Sequence, residues 1–229
     1  MGDCDPTSCG SINDISYPFW IEGQQPDYCG YPGFSVNCSD GIPYLQMPYG
    51  DGRILDIFYD NESIRLSEAD LLDYVCLNST FIVDSPFAGL PFNISAVNKK
   101  LLFRNCSREQ DGSFGSRCGP RTIYVAYIED DYFKPDPPIS KDCRTAKLPV
   151  SGYAGAESHD YEKLVEHGYL LDWEAPNCTE CRASEGQCGY DRSNNNFMCI
   201  CRDRIHRISC SEFLTQLGVL FHLKLLTPR

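Results

Sequence analysis

Residues 15–38 read ISYPFWIEGQQPDYCGYPGFSVNC. The rings of Tyr17, Phe19, Trp20, Tyr28, Tyr31 and Phe34 crowd around Cys29 and Cys38, with Pro18, Gly30, Pro32 and Gly33 among them. Two uses fit this composition. Flat rings can stack on sugars, or they can fill a small core, since each aromatic side chain buries about 150–250 Å². The prolines restrict the backbone and the glycines permit turns beside Cys29, as a disulfide-braced hairpin needs. The core use is expected for most of the rings, with one or two left exposed, and Cys29–Cys38 is the expected local bridge.

The rest of the chain supports an oxidising compartment. Fourteen cysteines in 229 residues is an even and high number, which reads as a disulfide framework. The sequon N-x-[ST] recurs at Asn37, Asn61, Asn78, Asn93, Asn105 and Asn177, so a glycan-bearing surface is expected. A net charge of −12 argues against nucleic acid as a partner. The start, MGDCDPTSCG, has neither the basic nor the apolar region of a signal peptide. Near the other end, FLTQLGVLFHLKLL (213–226) includes Gln216, His222 and Lys224 and falls short of the ~20 apolar residues of a spanning helix. Residues 211–229 read as an atypical or truncated tail, and no membrane span is expected.

Periodicity predicts a mainly β, disulfide-rich fold in two modules with one short helix between. In residues 4–143, RILDIFYDNESIRL places Leu55, Ile57 and Tyr59 on one face and turns at Asp60-Asn61 into a second strand. KKLLFRNC and RTIYVAYIED are further strands, and Glu129-Asp130-Asp131 is expected to end one on its solvated side. The Pro-rich FKPDPPISKDC connects to residues 144–210. There SHDYEKLVEHG (158–168) predicts a helix capped by Ser158 or Asp160 and ended by Gly168, followed by a strand at YLLDW. Cysteines 178, 181, 188, 199, 201 and 210 then follow as C-x2-C-x6-C-x10-C-x1-C-x8-C. This layout resembles an EGF-like module, and the resemblance implies the pairs Cys178–Cys188, Cys181–Cys199 and Cys201–Cys210. A zinc site from Cys178, Cys181, Cys199 and Cys201 is the rival. The sequons favour oxidation, so no metal is expected.

Nothing selects a catalytic constellation. The four histidines stand in no hydrolase or metalloprotease motif, and kinase signatures are absent. The informative signal is a resemblance carried by Cys9-Gly10, Ile15 to Ile21, Tyr28 to Phe34 and Cys38. These residues are similar to the galacturonan-binding domain of plant wall-associated receptor kinases. IFYDNESIRL is similar to the same family. Residues 168–210, GYLLDWEAPNCTECRASEGQCGYDRSNNNFMCICRDRIHRISC, resemble its C-terminal cysteine-rich module, most closely in the leaf-rust-resistance-locus receptor-like kinases. One departure follows Cys201, where RDRIHRISC stands in place of the Asp-Gly pair often found in members.

The resemblance implies an extracellular, apoplast-facing receptor ectodomain that binds pectic polysaccharide and is not itself an enzyme. Tyr17, Trp20 and Tyr31 are the candidate stacking rings. Arg53, Arg65, Lys99, Lys100 and Arg104 are the candidate basic patch, since a polyanion would otherwise be repelled. No cofactor is expected, although Ca²⁺ can bridge acidic residues to pectin. The rival reading is a module that recognises a peptide or co-receptor and has no sugar affinity.

Overall fold

The computed structural model describes residues 3–47, 50–67, 87, 89–106, 114–115, 123–135 and 143–210. In chain order the strands are β1 (Thr7–Cys9), β2 (Ile12–Ile15), β3 (Trp20–Ile21), β4 (Ser35–Ser39), β5 (Ile42–Leu45), β6 (Gly52–Phe58), β7 (Ser63–Ser67) and β8 (Phe92–Ile94). They continue as β9 (Lys99–Cys106), β10 (Phe114–Gly115), β11 (Ile123–Glu129), β12 (Cys143–Val150), β13 (Tyr169–Trp173), β14 (Gln187–Asp191), β15 (Asn196–Ile200) and β16 (Ile205–His206). The helices are α1 (Tyr161–His167) and α2 (Thr179–Ala183). The protein is mainly β and disulfide-rich, as predicted, and α2 is a helix that periodicity did not announce. The chain forms two compact units that are not consecutive in sequence. One joins residues up to Gln46 with those from Ala175 onward, and the other is residues 47–174.

In the unit of residues 47–174, β6 and β7 form the expected hairpin. A 3-10 turn at Tyr59–Asn61 and a left-handed Glu62 (φ 49°) connect them. The face differs from the predicted one. The register shifts between Ile54 and Asp56, and such a bulge breaks the period-2 alternation. Ile54, Ile64 and Leu66 are therefore the buried apolar side chains, while Leu55 and Ile57 are half-buried. Strand β13 pairs with β7 and β8 in one sheet. A second antiparallel sheet has the order β10-β11-β9-β12. Leu101 and Phe103 of β9, Ala146, Leu148 and Val150 of β12, and Leu164 and Val165 of α1 share one apolar cluster. This explains the 3.6-residue placement of Leu164 and Val165 within a polar helix.

Residues 158–168 begin with a 3-10 turn, Ser158–Asp160, before α1. Asp160 Oδ2 accepts the Glu157 backbone N–H at 3.2 Å, and that bond is the main cause of its lowered carboxyl pKa. Gly168 ends the helix at φ +80°, where a Cβ would lie 2.1 Å from the Leu66 carbonyl oxygen. Only glycine fits there.

The other unit is built from both ends of the chain. Strand β3 runs parallel to β4, which pairs antiparallel with β5. The predicted Cys29–Cys38 bridge is not formed; the disulfides are Cys4–Cys29 and Cys9–Cys38. Cys29 closes a 3-10 turn (Asp27–Cys29) whereas Cys38 lies on β4, so each faces a cysteine from the first ten residues. Their Cα–Cα distances of 5.1 and 5.9 Å are ordinary for a bridge. In the cysteine-rich segment, β14, β15 and β16 form an antiparallel sheet, with disulfides Cys178–Cys188, Cys181–Cys199 and Cys201–Cys210. All four cysteines of the rival zinc set are thereby oxidised, which removes the thiolates a zinc site needs.

Aromatic rings join the two ends. Tyr17 meets Phe197 edge-on at 5.7 Å and Tyr31 meets Tyr190 edge-on at 4.8 Å. The Arg192 guanidinium lies 5.7 Å over Trp20 and its Nε is 3.2 Å from Asp27 Oδ2. Arg182 donates to the Tyr17 carbonyl at 3.2 Å. At Gly189 the backbones approach so closely that a Cβ would sit 2.6 Å from the Tyr28 carbonyl oxygen. The substitution Gly189→Ala is therefore expected to destabilise the oxidised protein by about 1–3 kcal/mol, the usual cost of overpacking a rigid contact. Chemical denaturation measures this; an unchanged midpoint would show that the seam gives way cheaply.

Candidate functional site

The quoted rings form core. Phe19 and Phe34 are fully buried and pack edge-on at 5.0 Å. Tyr17 and Trp20 are 5% and 9% exposed, too little to offer a face to a sugar. Tyr31 is half-buried between Phe34 and Tyr190. Burial pushes the Tyr17 phenol well above its ordinary pKa, and its hydroxyl has no hydrogen-bond partner among the described residues. Tyr17 and Trp20 are therefore core, while Tyr31 keeps part of its surface exposed.

Three members of the proposed basic patch, Arg65, Lys99 and Lys100, have acidic partners. Lys99 and Lys100 are neighbours on β9, and successive strand side chains point to opposite faces. Lys100 is wholly buried, with Nζ 2.6 Å from Glu129 Oε2 and donating to the Lys134 carbonyl at 2.6 Å. Lys99 pairs with Asp130 at 3.1 Å. Arg65 pairs with Asp56 and lies 3.3 Å from His167 Nε2. Arg53 is exposed on β6, and the side chain of Arg104 lies outside the described residues. The acidic run thus faces cations: Glu129 holds Lys100, Asp130 holds Lys99, and Asp131 accepts the Phe133 N–H at 2.9 Å. The run ends β11 as expected, with Asp130 exposed; Glu129 is half-buried because desolvated Lys100 requires a counter-charge.

Of the sequons, Asn61, Asn93 and Asn177 are exposed and Asn37 is half-exposed on β4. Asn177 Oδ1 accepts the Thr179 N–H at 2.7 Å. Asn78 and the side chain of Asn105 lie outside the described residues.

A concave surface is present in the unit made from both chain ends. A cleft of about 380 Å³ is lined by Asp3, Cys4, Tyr28, Gln187, Ile200, Cys201 and Arg202. Its floor is firm, because Tyr28 and Ile200 pack on buried Cys4, Trp20 and Cys29. Disulfides Cys4–Cys29 and Cys201–Cys210 brace both sides. The Tyr28 hydroxyl donates to Asp3 Oδ2 at 2.9 Å, and this bond is the first cause of its raised pKa. Gln187 Nε2 donates to Asp5. The cleft therefore combines one half-buried ring, an amide, a carboxylate and an exposed guanidinium. Tyr28 is the one ring of the opening stretch that reaches it. Gln187, Ile200 and Arg202 were not among the predicted ligand residues; the unusual RDRIHR run after Cys201 marked Arg202, and nothing in the sequence marked Gln187 or Ile200.

Comparison with known proteins bears on the same segments. Residues 4–68 match the family described as wall-associated receptor kinase galacturonan-binding, and residues 105–204 match wall-associated receptor kinase C-terminal. In both matched segments the chain is thus similar to modules of wall-associated receptor kinases. It is 29% identical over 215 residues to leaf rust 10 disease-resistance locus receptor-like protein kinase-like 1.2 of Arabidopsis thaliana, covering 87% of this chain and 32% of that protein. It is 26% identical over 239 residues to the like-2.1 protein of the same plant, covering 94% of this chain and 36% of the relative. The putative RING-H2 finger protein ATL21A of Arabidopsis thaliana is 28% identical over 207 residues, 86% of this chain and 54% of that protein. The chain thus spans about a third of the receptor-kinase relatives. No solved structure matches it at a significant level. No helix of the described residues is long and apolar enough to cross a membrane; residues 211–229 lie outside them.

Because Tyr17 is core with an unbonded hydroxyl, Tyr17→Phe removes a buried polar atom and keeps the ring. The expected result is equal or higher stability, by up to about 1 kcal/mol, with ligand affinity unchanged. Calorimetric melting and titration check both. A loss of affinity would return Tyr17 to the site.

Proposed function

We propose that this chain is the extracellular, non-catalytic part of a plant receptor and binds an acidic wall polysaccharide of the galacturonan type in the Tyr28–Arg202 cleft. The observation that carries the reading is the position of the cleft. It lies in the unit containing most of the galacturonan-binding match, and its lining has the chemistry a uronate sugar needs. A ring face can cover the apolar side of a sugar. Gln187 and Asp3 can exchange hydrogen bonds with hydroxyl groups. The planar guanidinium of Arg202 can pair with a carboxylate in the two-point geometry that lysine lacks. The net charge of −12 does not forbid this, because charges beyond a Debye length of about 8 Å are largely screened at physiological salt. An apoplastic location follows from the same reading and agrees with the disulfides.

The peptide or co-receptor reading has its own support in the exposed Ile205 and Ile208, since apolar side chains among charges are common at protein interfaces. Titration of the oxidised chain with galacturonan oligomers separates the two readings. Saturable binding is expected, with Tyr28→Ala weakening it about tenfold or more and Tyr17→Phe leaving it unchanged. Repeating the titration with Ca²⁺ and with chelator shows whether acidic residues contribute through a bridging ion. Heat equal to the blank in every arm, from folded protein, contradicts the polysaccharide reading.

A further inference from the structure

We infer that the hairpin turn of the cysteine-rich segment, Arg202 to Arg207, is a cationic subsite that extends the cleft and grips the carboxylates of a polymeric ligand. The inference rests on the polysaccharide reading above and adds the place where charge is recognised.

Residues 202–208 read RDRIHRI. Three arginines stand against one carboxylate there, in a chain whose net charge is −12. Arg202, Arg204 and Arg207 are all exposed. Covalent and hydrogen bonds fix the turn. Cys201 N donates to the Arg204 carbonyl at 3.1 Å, Ile200 pairs with Ile205 and Cys199 with His206. Cys181–Cys199 and Cys201–Cys210 hold the flanks. A site ordered in this way loses little entropy on binding.

The single acid of the run is already engaged. Asp203 places both carboxylate oxygens 3.1 Å from Nε2 of the buried His206, and Arg204 Nε is 3.8 Å from Oδ2. His206 thus shares Asp203 with Arg204, so the carboxylate does not act on the arginines alone. Continuity with the cleft is direct, because Arg202 and Ile200 line it and Ile205 lies opposite Ile200 across the strand pair. Three guanidinium groups, at Arg202, Arg204 and Arg207, suit several carboxylates along a polymer better than one sugar. They also account for how an acidic protein can hold a polyanion when Lys99, Lys100 and Arg65 are committed to internal partners.

The test uses the full oxidised chain with two probes, polygalacturonate and its fully methyl-esterified counterpart, each titrated at two salt concentrations. Arg204→Gln/Arg207→Gln is expected to weaken polygalacturonate binding at least tenfold and to flatten its salt dependence. Affinity for the ester and the melting temperature should stay as in the unaltered protein. Arg204→Lys/Arg207→Lys keeps the charge and should retain most of the salt dependence, which guards against a purely structural effect. Tyr28→Ala should weaken both probes. If the Gln variant binds polygalacturonate like the unaltered protein with the same salt slope, or loses both probes alike, the cationic subsite is overturned while the cleft reading stands. If the unaltered protein binds neither probe, both are overturned.

Discussion

The structure depends on a seam of rings, Tyr17 on Phe197 and Tyr31 on Tyr190, closed by Arg192 over Trp20. Neither side of the seam is large enough to bury a core alone. The cysteine-rich segment has few apolar residues besides its cysteines, and small units of this kind need covalent staples. The first forty-six residues carry the rings but only short strands. Packed together they share one core, in which Gly189 lets the backbones touch. The cleft is a consequence, since Tyr28 comes from one side and Gln187, Ile200 and Arg202 from the other.

Residues 47–174 follow a different logic, in which charge is neutralised internally. A fully buried lysine is costly unless a counter-charge and further hydrogen bonds satisfy it. Lys100 has both, from Glu129 and the Lys134 carbonyl. Arg65, Lys99 and Lys100, which read in sequence as part of a binding patch, pair with acids within the fold. Arg202, Arg204 and Arg207, exposed in the other unit, stand in a turn held by disulfides.

Local elements were legible where the signal is local. The β6–β7 hairpin, β13 and α1 follow from alternation, a turn pair and a capped amphipathic stretch, and the structure has them. The inward face of β6 was not legible, because a bulge shifts register without changing composition. Helix α2 was hidden because five residues, Thr179–Ala183, hold too short a period to read. The bridge Cys29–Cys38 failed for a related reason. Sequence proximity favoured it, but Cys29 and Cys38 sit on separate elements that long-range pairing draws to Cys4 and Cys9. The rings were read correctly as mostly core, whereas Gln187, Ile200 and Arg202 join Tyr28 only through tertiary contact.

The shared core makes the two ends of the chain one cooperative unit. Hydrogen exchange of the backbone amides of residues 17–36, in the oxidised chain with and without Phe197→Ala, tests it most directly. Loss of the ring that Tyr17 packs against is predicted to speed exchange in residues 17–36, although the substitution lies far away in sequence. Exchange there at the unaltered rate, with faster exchange confined to the cysteine-rich segment, would contradict the shared core and with it the cleft built upon it.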